Sequence, residues 1–314
     1  MNQSYHKYQT PEEIMNSGMK SLKKKKKRRG KIILIILLII IVVSIIILID
    51  SNTRLVTTEH ILYYDNLPMG FDGFRIVLLA DLHGNELGAN NERLVESVKA
   101  ANPDIITIAG DLIDRYQPGN PVKDQLKVAQ ALAEQLVDIA PVYYVTGNHE
   151  WDSGMVRELL EALEGAGVVV LRNDYAQLNV NQVLDMRNRL ILAGVDDPGG
   201  PADMIKPNEF IKQVNEYIKP EFFIVMVHRN YSLKMLSELD VDLVLSGHAH
   251  GGMIRLPFTD GLVGPSHELF PTYTSGVYSE CNTNMVVTRG LGNHLGWTRF
   301  LNNPEVVVVE LRAK

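Results

Sequence analysis

The sequence predicts an α/β domain with parallel strand pairing, carried behind one membrane-spanning helix. Three observations lead there. Short apolar runs alternate with amphipathic stretches along most of the chain. Five of those runs end in clusters of Asp, Asn and His, where open α/β sheets bind their ligands. Near the N-terminus stands an apolar run too long for any strand.

That long run covers residues 32–49, 18 residues with Ser44 as the one polar member. As a helix it is about 27 Å long, close to the thickness of a bilayer core. A basic block, Lys23 to Arg29, precedes it and Asp50 follows. The positive-inside rule then keeps the N-terminus in the cytoplasm and places the rest outside. No small-residue cleavage site follows the run, so the expectation is an uncleaved, single-pass cell-membrane protein with an extracytoplasmic domain. The resulting division is a basic cytoplasmic tail at 1–31, a transmembrane helix at 32–49, a linker at 50–72 and a folded domain at 73–314. Tyr63, Tyr64 and Leu67 are expected to pack on that domain.

Charge is divided in the same way. Residues 1–31 hold ten Lys/Arg against two acids, so the remaining chain carries −14 of the overall −6 balance. An acidic body is not expected to bind nucleic acid. The one cysteine, Cys281, excludes an intrachain disulfide and a cysteine-based metal site. A metal here must use His, Asp and Asn, a donor set suited to Mn, Fe, Zn or Mg.

Strands are predicted at 74–80, 104–109, 142–146, 168–171, 190–193, 222–227, 241–245, 285–288 and 306–311, each a short apolar run. Helices are predicted at 91–101, 124–139 and 153–166, where apolar residues recur every three and four positions. From about Gly251 the chain is richer in Gly, Asn and Thr and reads as loops with strands.

The polar clusters carry the chemistry. In order they are Asp81-x-His83, Gly110-Asp111-x-x-Asp114-Arg115, Gly147-Asn148-His149-Glu150, His228 and Gly247-His248-x-His250. Five of the nine histidines lie in them. Singly, Asp or Asn after a strand is turn chemistry. Together they form a mixed set of donors fit for two divalent ions. If the backbone is extended at Asp81/His83 and at His248/His250, residues two apart share a face. Paired cations about 3.5–4 Å apart clamp the attacking and leaving oxygens of a displacement at phosphorus.

This ordered set resembles the calcineurin-like metallophosphoesterase superfamily, and most closely its membrane-anchored, exported bacterial branch. The resemblance covers about residues 72–312 and extends to Asn173, to 194–198, to Arg289-Gly290-Leu291-Gly292 and to Pro304-Glu305. It implies an αββα sandwich of two mixed sheets flanked by helices. It implies two divalent ions bridged by Asp111, one also held by Asp81, His83 and His250, the other by Asn148, His228 and His248. His149 becomes the general acid, oriented by Asp114. Arg115 is a candidate phosphate contact, and Glu150 is expected to steady its loop. Met253 stands where many relatives have glutamine, a difference that bears on the substrate rim. His294 is a lesser candidate for the cleft wall.

The implied activity is hydrolysis of phosphate esters, with phosphodiesters favoured, by metal-activated hydroxide. Lipid headgroups and cell-envelope polymers are the partners that the membrane location suggests. Segments 116–123, 198–206 and 255–278 are where recognition is expected. Two alternatives remain at this point: a catalytically silent binding module of the same fold, and a cytoplasmic-face pyrophosphatase acting on a lipid-linked nucleotide.

Overall fold

A computed structural model describes residues 10–115, 119–179, 189–202, 204–257, 259–264, 267–293 and 298–314. The chain forms two compact units, Met1–Ile49 and Asp50–Lys314. Most of helix α1 (Pro11–Thr53) lies in the first. Among the described residues it is the one helix long and apolar enough to cross a membrane.

The second unit is built on two six-stranded sheets. The first contains β1 (Val56–Tyr64), β2 (Arg75–Leu79), β3 (Ile105–Ile108), β4 (Val142–Tyr144), β5 (Val169–Val170) and β12 (Glu305–Ala313), in the order β1-β12-β2-β3-β4-β5. The second contains β6 (Asp174–Asn179), β7 (Arg189–Gly194), β8 (Phe223–Met226), β9 (Leu243–Ser246), β10 (Gly276–Glu280) and β11 (Thr283–Val287), in the order β10-β11-β9-β8-β7-β6. Both are mixed: β2 to β5 run parallel with β12 reversed, and β7, β8, β9 and β11 run parallel between reversed edge strands.

Alternation along each strand makes the layers. Ile76 and Leu78 of β2 meet Leu190, Leu192, Ile224 and Leu243 between the sheets. Their neighbours Val77 and Leu79 face outward onto α2 (Glu92–Ala100), α3 (Val122–Val137) and α5 (Val156–Gly165). Ile191, Val225 and Val244 face α6 (Pro207–Ile218) and α7 (Leu233–Ser237). Burial on both faces is why these strands read as unbroken apolar runs. The architecture is the four-layer αββα sandwich.

The expected linker at 50–72 contains β1, paired in parallel with β12 from Val56 opposite Glu305 onward. As an edge strand it buries little, and every second residue from Thr57 to Tyr63 is exposed, so it lacks a continuous apolar run. Tyr64 and Leu67 do pack into the core between the sheets. Strands β6 and β10 escaped prediction for the same reason. Helix α6 also went unpredicted, although it opens with Pro207 in its first turn and buries Phe210, Ile211 and Val214.

Candidate metal centre

The carboxyl ends of β2, β3, β4, β8 and β9 deliver every clustered side chain to one region. The backbone there is not extended. Asp81, His83, Asp111, His248 and His250 have φ of 55, 50, 55, 69 and 48°. Such left-handed residues cost about 1–3 kcal/mol each and persist only where the surroundings fix them. Ala249, between the two histidines, is right-handed helical with φ −76° and ψ −14°. Sharing one strand face is therefore not what places His248 and His250; tight turns send them to different partners.

Two glycines permit the close approach. A Cβ on Gly110, itself at φ 86°, would sit 2.5 Å from the Gly147 nitrogen and 2.9 Å from His228 Nδ1. One on Gly147 would sit 2.1 Å from Asp111 Oδ1. Any side chain at either position would push the β3 and β4 turns apart.

The cluster has two halves. In one, His83 Nε2 and His250 Nε2 are 3.1 Å apart, and His250 Nε2 is 3.7 Å from Asp81 Oδ1. In the other, His248 Nδ1 and His228 Nε2 are 3.1 Å apart, and His228 Nε2 is 3.1 Å from Asp111 Oδ2. Asp111 Oδ2 also lies 3.9 Å from His83 Nε2, so this carboxylate stands between the halves. Two nitrogens each about 2.0–2.1 Å from one ion lie about 2.8–3.4 Å apart at octahedral to tetrahedral angles. Both histidine pairs have that spacing. Asn148 Oδ1 is buried with no hydrogen-bond partner among the described residues, an acceptor that a cation beside His228 and His248 would satisfy. These donors fit divalent ions.

His149 is the second residue of helix α4 (Asn148–Ser153). Its Nδ1 is 2.8 Å from Asp114 Oδ1, and its Nε2 is 4.0 Å from Asp111 Oδ2. The ring is thus held at one nitrogen and turned inward at the other. Gln125 Oε1 accepts the Asp114 N–H at 2.6 Å, which fixes that partner in turn. Glu150 is fully buried and accepts from the N–H groups of Gly147, Asp111, Leu112 and Ile113 at 2.7, 2.9, 2.7 and 3.3 Å. It fastens the β3 turn to the β4 turn and offers no atom to a ligand.

The electrostatics follow from burial and crowding. Burial pushes Asp81 and Glu150 each up to about 7. Burial also opposes ionising Asp111, but the His228 charge prevails and holds it well below the usual carboxylate range. His228 rises in exchange to about 10: burial disfavours its charge, and the Asp111 carboxylate outweighs burial. Burial, reinforced by the neighbouring histidines, holds His248 and His250 well below 6.5, in the neutral form a ligand needs. For His149, burial is outweighed by the Asp114 hydrogen bond and the nearby carboxylates, so its value rises.

Among the other residues singled out in the sequence, Arg115 is exposed and paired with Asp152 at 3.4 Å. Asn173 Oδ1 accepts the Asp196 N–H at 3.1 Å, and buried Asp196 pairs with Arg172 at 2.8 Å. Met253 is not at a substrate rim, because its side chain is 1 % exposed. His294 lies outside the described residues. Asp197, in the matched segment 194–198, pairs with Arg229 at 2.7 Å, and two fully buried polar residues near the cluster were passed over, Arg299 and Asn302. Their one signal is polarity just before β12, beside Pro304-Glu305.

Comparisons with known proteins give the family. The family model of calcineurin-like phosphoesterases matches residues 74–252, from β2 through the His250 turn. The chain belongs to the calcineurin-like phosphoesterase family. This phosphoesterase is 29% identical to an uncharacterized metallophosphoesterase of Bacillus subtilis, YkuE, across 82% of this chain and 85% of that one. It is 29% identical to a zebrafish (Danio rerio) transmembrane protein with a metallophosphoesterase domain, across 79% of this chain and 55% of that one. A crystal structure of TT1561 from Thermus thermophilus aligns with TM-score 0.43 and 16% identity, over 69% of this chain and 90% of that one. The family makes this chain a metal-dependent phosphoester hydrolase.

Proposed function

We propose that the chain is a single-pass, membrane-anchored phosphodiesterase whose catalytic unit holds two divalent ions. Asp81, His83 and His250 hold one, Asn148, His228 and His248 the other, and Asp111 bridges them. The observation that carries this reading is the repeated histidine pairing on either side of one carboxylate, with both nitrogen–nitrogen distances at 3.1 Å. Mn, Fe, Zn and Mg all suit the donors. When bound, the ions supply the charge that activates water and neutralises phosphate oxygens.

This chain's residues do the rest. The hydroxide left when water gives up a proton to solvent forms a bond to phosphorus as the bond to the leaving oxygen breaks. His149 gives its Nε2 proton to that leaving oxygen, and Asp114 holds the ring through Nδ1. Support for a diester comes from the neighbouring arginines. Arg229, beside His228, is engaged by Asp197 at 2.7 and 3.0 Å, and Arg115, beside Asp114, by Asp152. A phosphodiester bears one negative charge at neutral pH and asks less of such cations than a dianionic monoester. The substrate belongs to the envelope, a lipid headgroup or wall polymer, because the anchor sets the location.

The domain division proposed is a cytoplasmic basic tail at 1–31, a span at 32–49 and the catalytic body after it, with β1 as part of that body. The N-terminus is cytoplasmic and the body extracytoplasmic, an orientation that reporter fusions at the C-terminus test directly. For activity, the detergent-solubilised full chain is assayed with added Mn on bis(p-nitrophenyl) phosphate and on p-nitrophenyl phosphate. The diester is expected to react with the higher kcat/KM. A preference for the monoester overturns the diester reading, and a wild-type protein that binds no metal overturns the dinuclear one.

A further inference from the structure

The polar residues that end α1 connect to the metal centre through one strap of chain, 299–303. Asp50, Asn52 and Thr53 belong to the same compact unit as the site. Asn52 Nδ2 donates to the Arg299 carbonyl at 2.8 Å. Its Oδ1 accepts from the Arg299 N–H at 3.1 Å and from Asn293 Nδ2 at 2.8 Å. One side chain thereby holds both backbone groups of Arg299. Further along the strap, Asn303 Nδ2 donates to the Asp50 carbonyl at 2.8 Å.

The other face of the strap grips the turn that carries His250. Asn302 donates to the carbonyls of His250 and Met253 at 2.7 and 3.2 Å. The Arg299 side chain is fully buried. Its Nε, Nη1 and Nη2 donate to Asn293 Oδ1, the Arg289 carbonyl and the Gly292 carbonyl at 2.8, 2.8 and 2.6 Å. Nη2 also lies 3.5 Å from His250 Nδ1, the ring nitrogen opposite the one turned toward His83. A buried guanidinium must find acceptors for its donors, so Arg299 cannot shift without breaking this set. His250 itself sits at φ 48°, a backbone state its surroundings must enforce.

We propose that Asn52 is a positioning residue for His250, acting through Arg299, so that the chain leaving the apolar helix is a working part of the metal centre. This rests on the two-ion reading above. Partners behind a ligand are typically worth about 10–100-fold in metal affinity. Among the described residues, the strap grips the half containing His250 and makes no hydrogen bond to the other. Loss of Asn52 should therefore weaken one ion and spare the other.

The test titrates Mn(II) into metal-stripped full-length protein in detergent, with bound Mn counted and the exchange-coupled Mn–Mn signal followed by electron paramagnetic resonance. Wild type is expected to bind two Mn and to show the coupled signal. Asn52→Ala is expected to keep one Mn at the wild-type midpoint and to bind the second about 10–100-fold more weakly, with the coupled signal lost. Arg299→Lys keeps the charge but not the fork, and should lose the same ion; it decides the matter if Asn52→Ala does not fold. Asn66→Ala is the control, since Asn66 makes two bonds of similar length, to the Glu221 carbonyl and to Asp242, elsewhere in the unit. The inference falls if both Mn bind Asn52→Ala, or Arg299→Lys, with wild-type midpoints. It falls equally if Asn66→Ala weakens an ion as much as Asn52→Ala does. Wild type that binds no Mn overturns this inference together with the proposed function.

Discussion

The two halves of the metal centre differ in charge and in depth. Asp81, His83 and His250 include a carboxylate, and none is more than 3% exposed. Asn148, His228 and His248 are all neutral as ligands, and Asn148 and His248 are half-buried. Beyond His248 stands Tyr231, 59% exposed, with its ring 6.5 Å from the histidine ring. A deep, charged set should retain a cation, and a shallow, neutral set nearer solvent should exchange one more readily. On the proposed assignment, one half is the permanent part of the site and the other is its working mouth. Asp111 belongs to both.

The largest expected effect comes from removing what the halves share. Asp111→Asn should lower the affinity for both ions and reduce kcat beyond the about 10⁴-fold that a single acid–base group supplies. Metal counting on the purified variant checks the cause. If Asp111→Asn keeps two tightly bound ions, the carboxylate is not the bridge and the halves are independent sites.

Next in size is His149, which faces the shared carboxylate from outside both halves. On an alkyl diester, His149→Ala should cost about 10²–10⁴-fold in kcat while both ions stay bound. The loss should be small on bis(p-nitrophenyl) phosphate and large on an alkyl diester, because a poor leaving oxygen needs the proton and p-nitrophenolate does not. Equal losses on the two substrates would remove His149 from the role of acid. Lost ions would make it a ligand, a possibility its 4.0 Å distance from Asp111 makes worth testing.

What the sequence disclosed about these halves, and what it concealed, has a physical pattern. The buried strands β2, β3, β8 and β9 were legible because both their faces are covered, so their sequences are apolar without interruption. The polar clusters that the structure brings together were legible because each follows a strand of this kind, the buried β4 among them. The edge strands β1, β6 and β10 were not, since half their residues meet water and carry no pattern apart from that of loops. The left-handed turns were not legible either: Asp and His tolerate positive φ but do not announce it. Arg299 was the hardest, because a buried arginine and an exposed one look alike in sequence until their acceptors are known.

Chelation sharpens the contrast between halves. Stepwise EDTA treatment should remove two ions in distinct stages, with midpoints separated tenfold or more, about 1.4 kcal/mol. The first to leave should be the ion held by Asn148, His228 and His248. Asp81→Asn removes the charge that distinguishes the deep half and should merge the stages. Asn148→Asp adds a charge to the shallow half and should merge them from the other direction. Release of both ions together in the wild type would mean that the bridge, not the separate donors, sets affinity.

The smallest effect is expected at Arg115, beyond the mouth. Its pair with Asp152 leaves both side chains about half exposed, at 53% and 49%. Such a pair is worth at most about 1 kcal/mol, so the guanidinium can leave Asp152 for a phosphate at little cost. If it does, Arg115→Ala should raise KM up to about fivefold and leave kcat unchanged, the signature of uniform binding lost. Asp152→Asn frees the same guanidinium and should lower KM by a similar factor. Both changes should fade at high salt, where exposed charges are screened. A KM that ignores both variants would leave Arg115 as a surface residue, and phosphate recognition would then rest on the deeper Arg229.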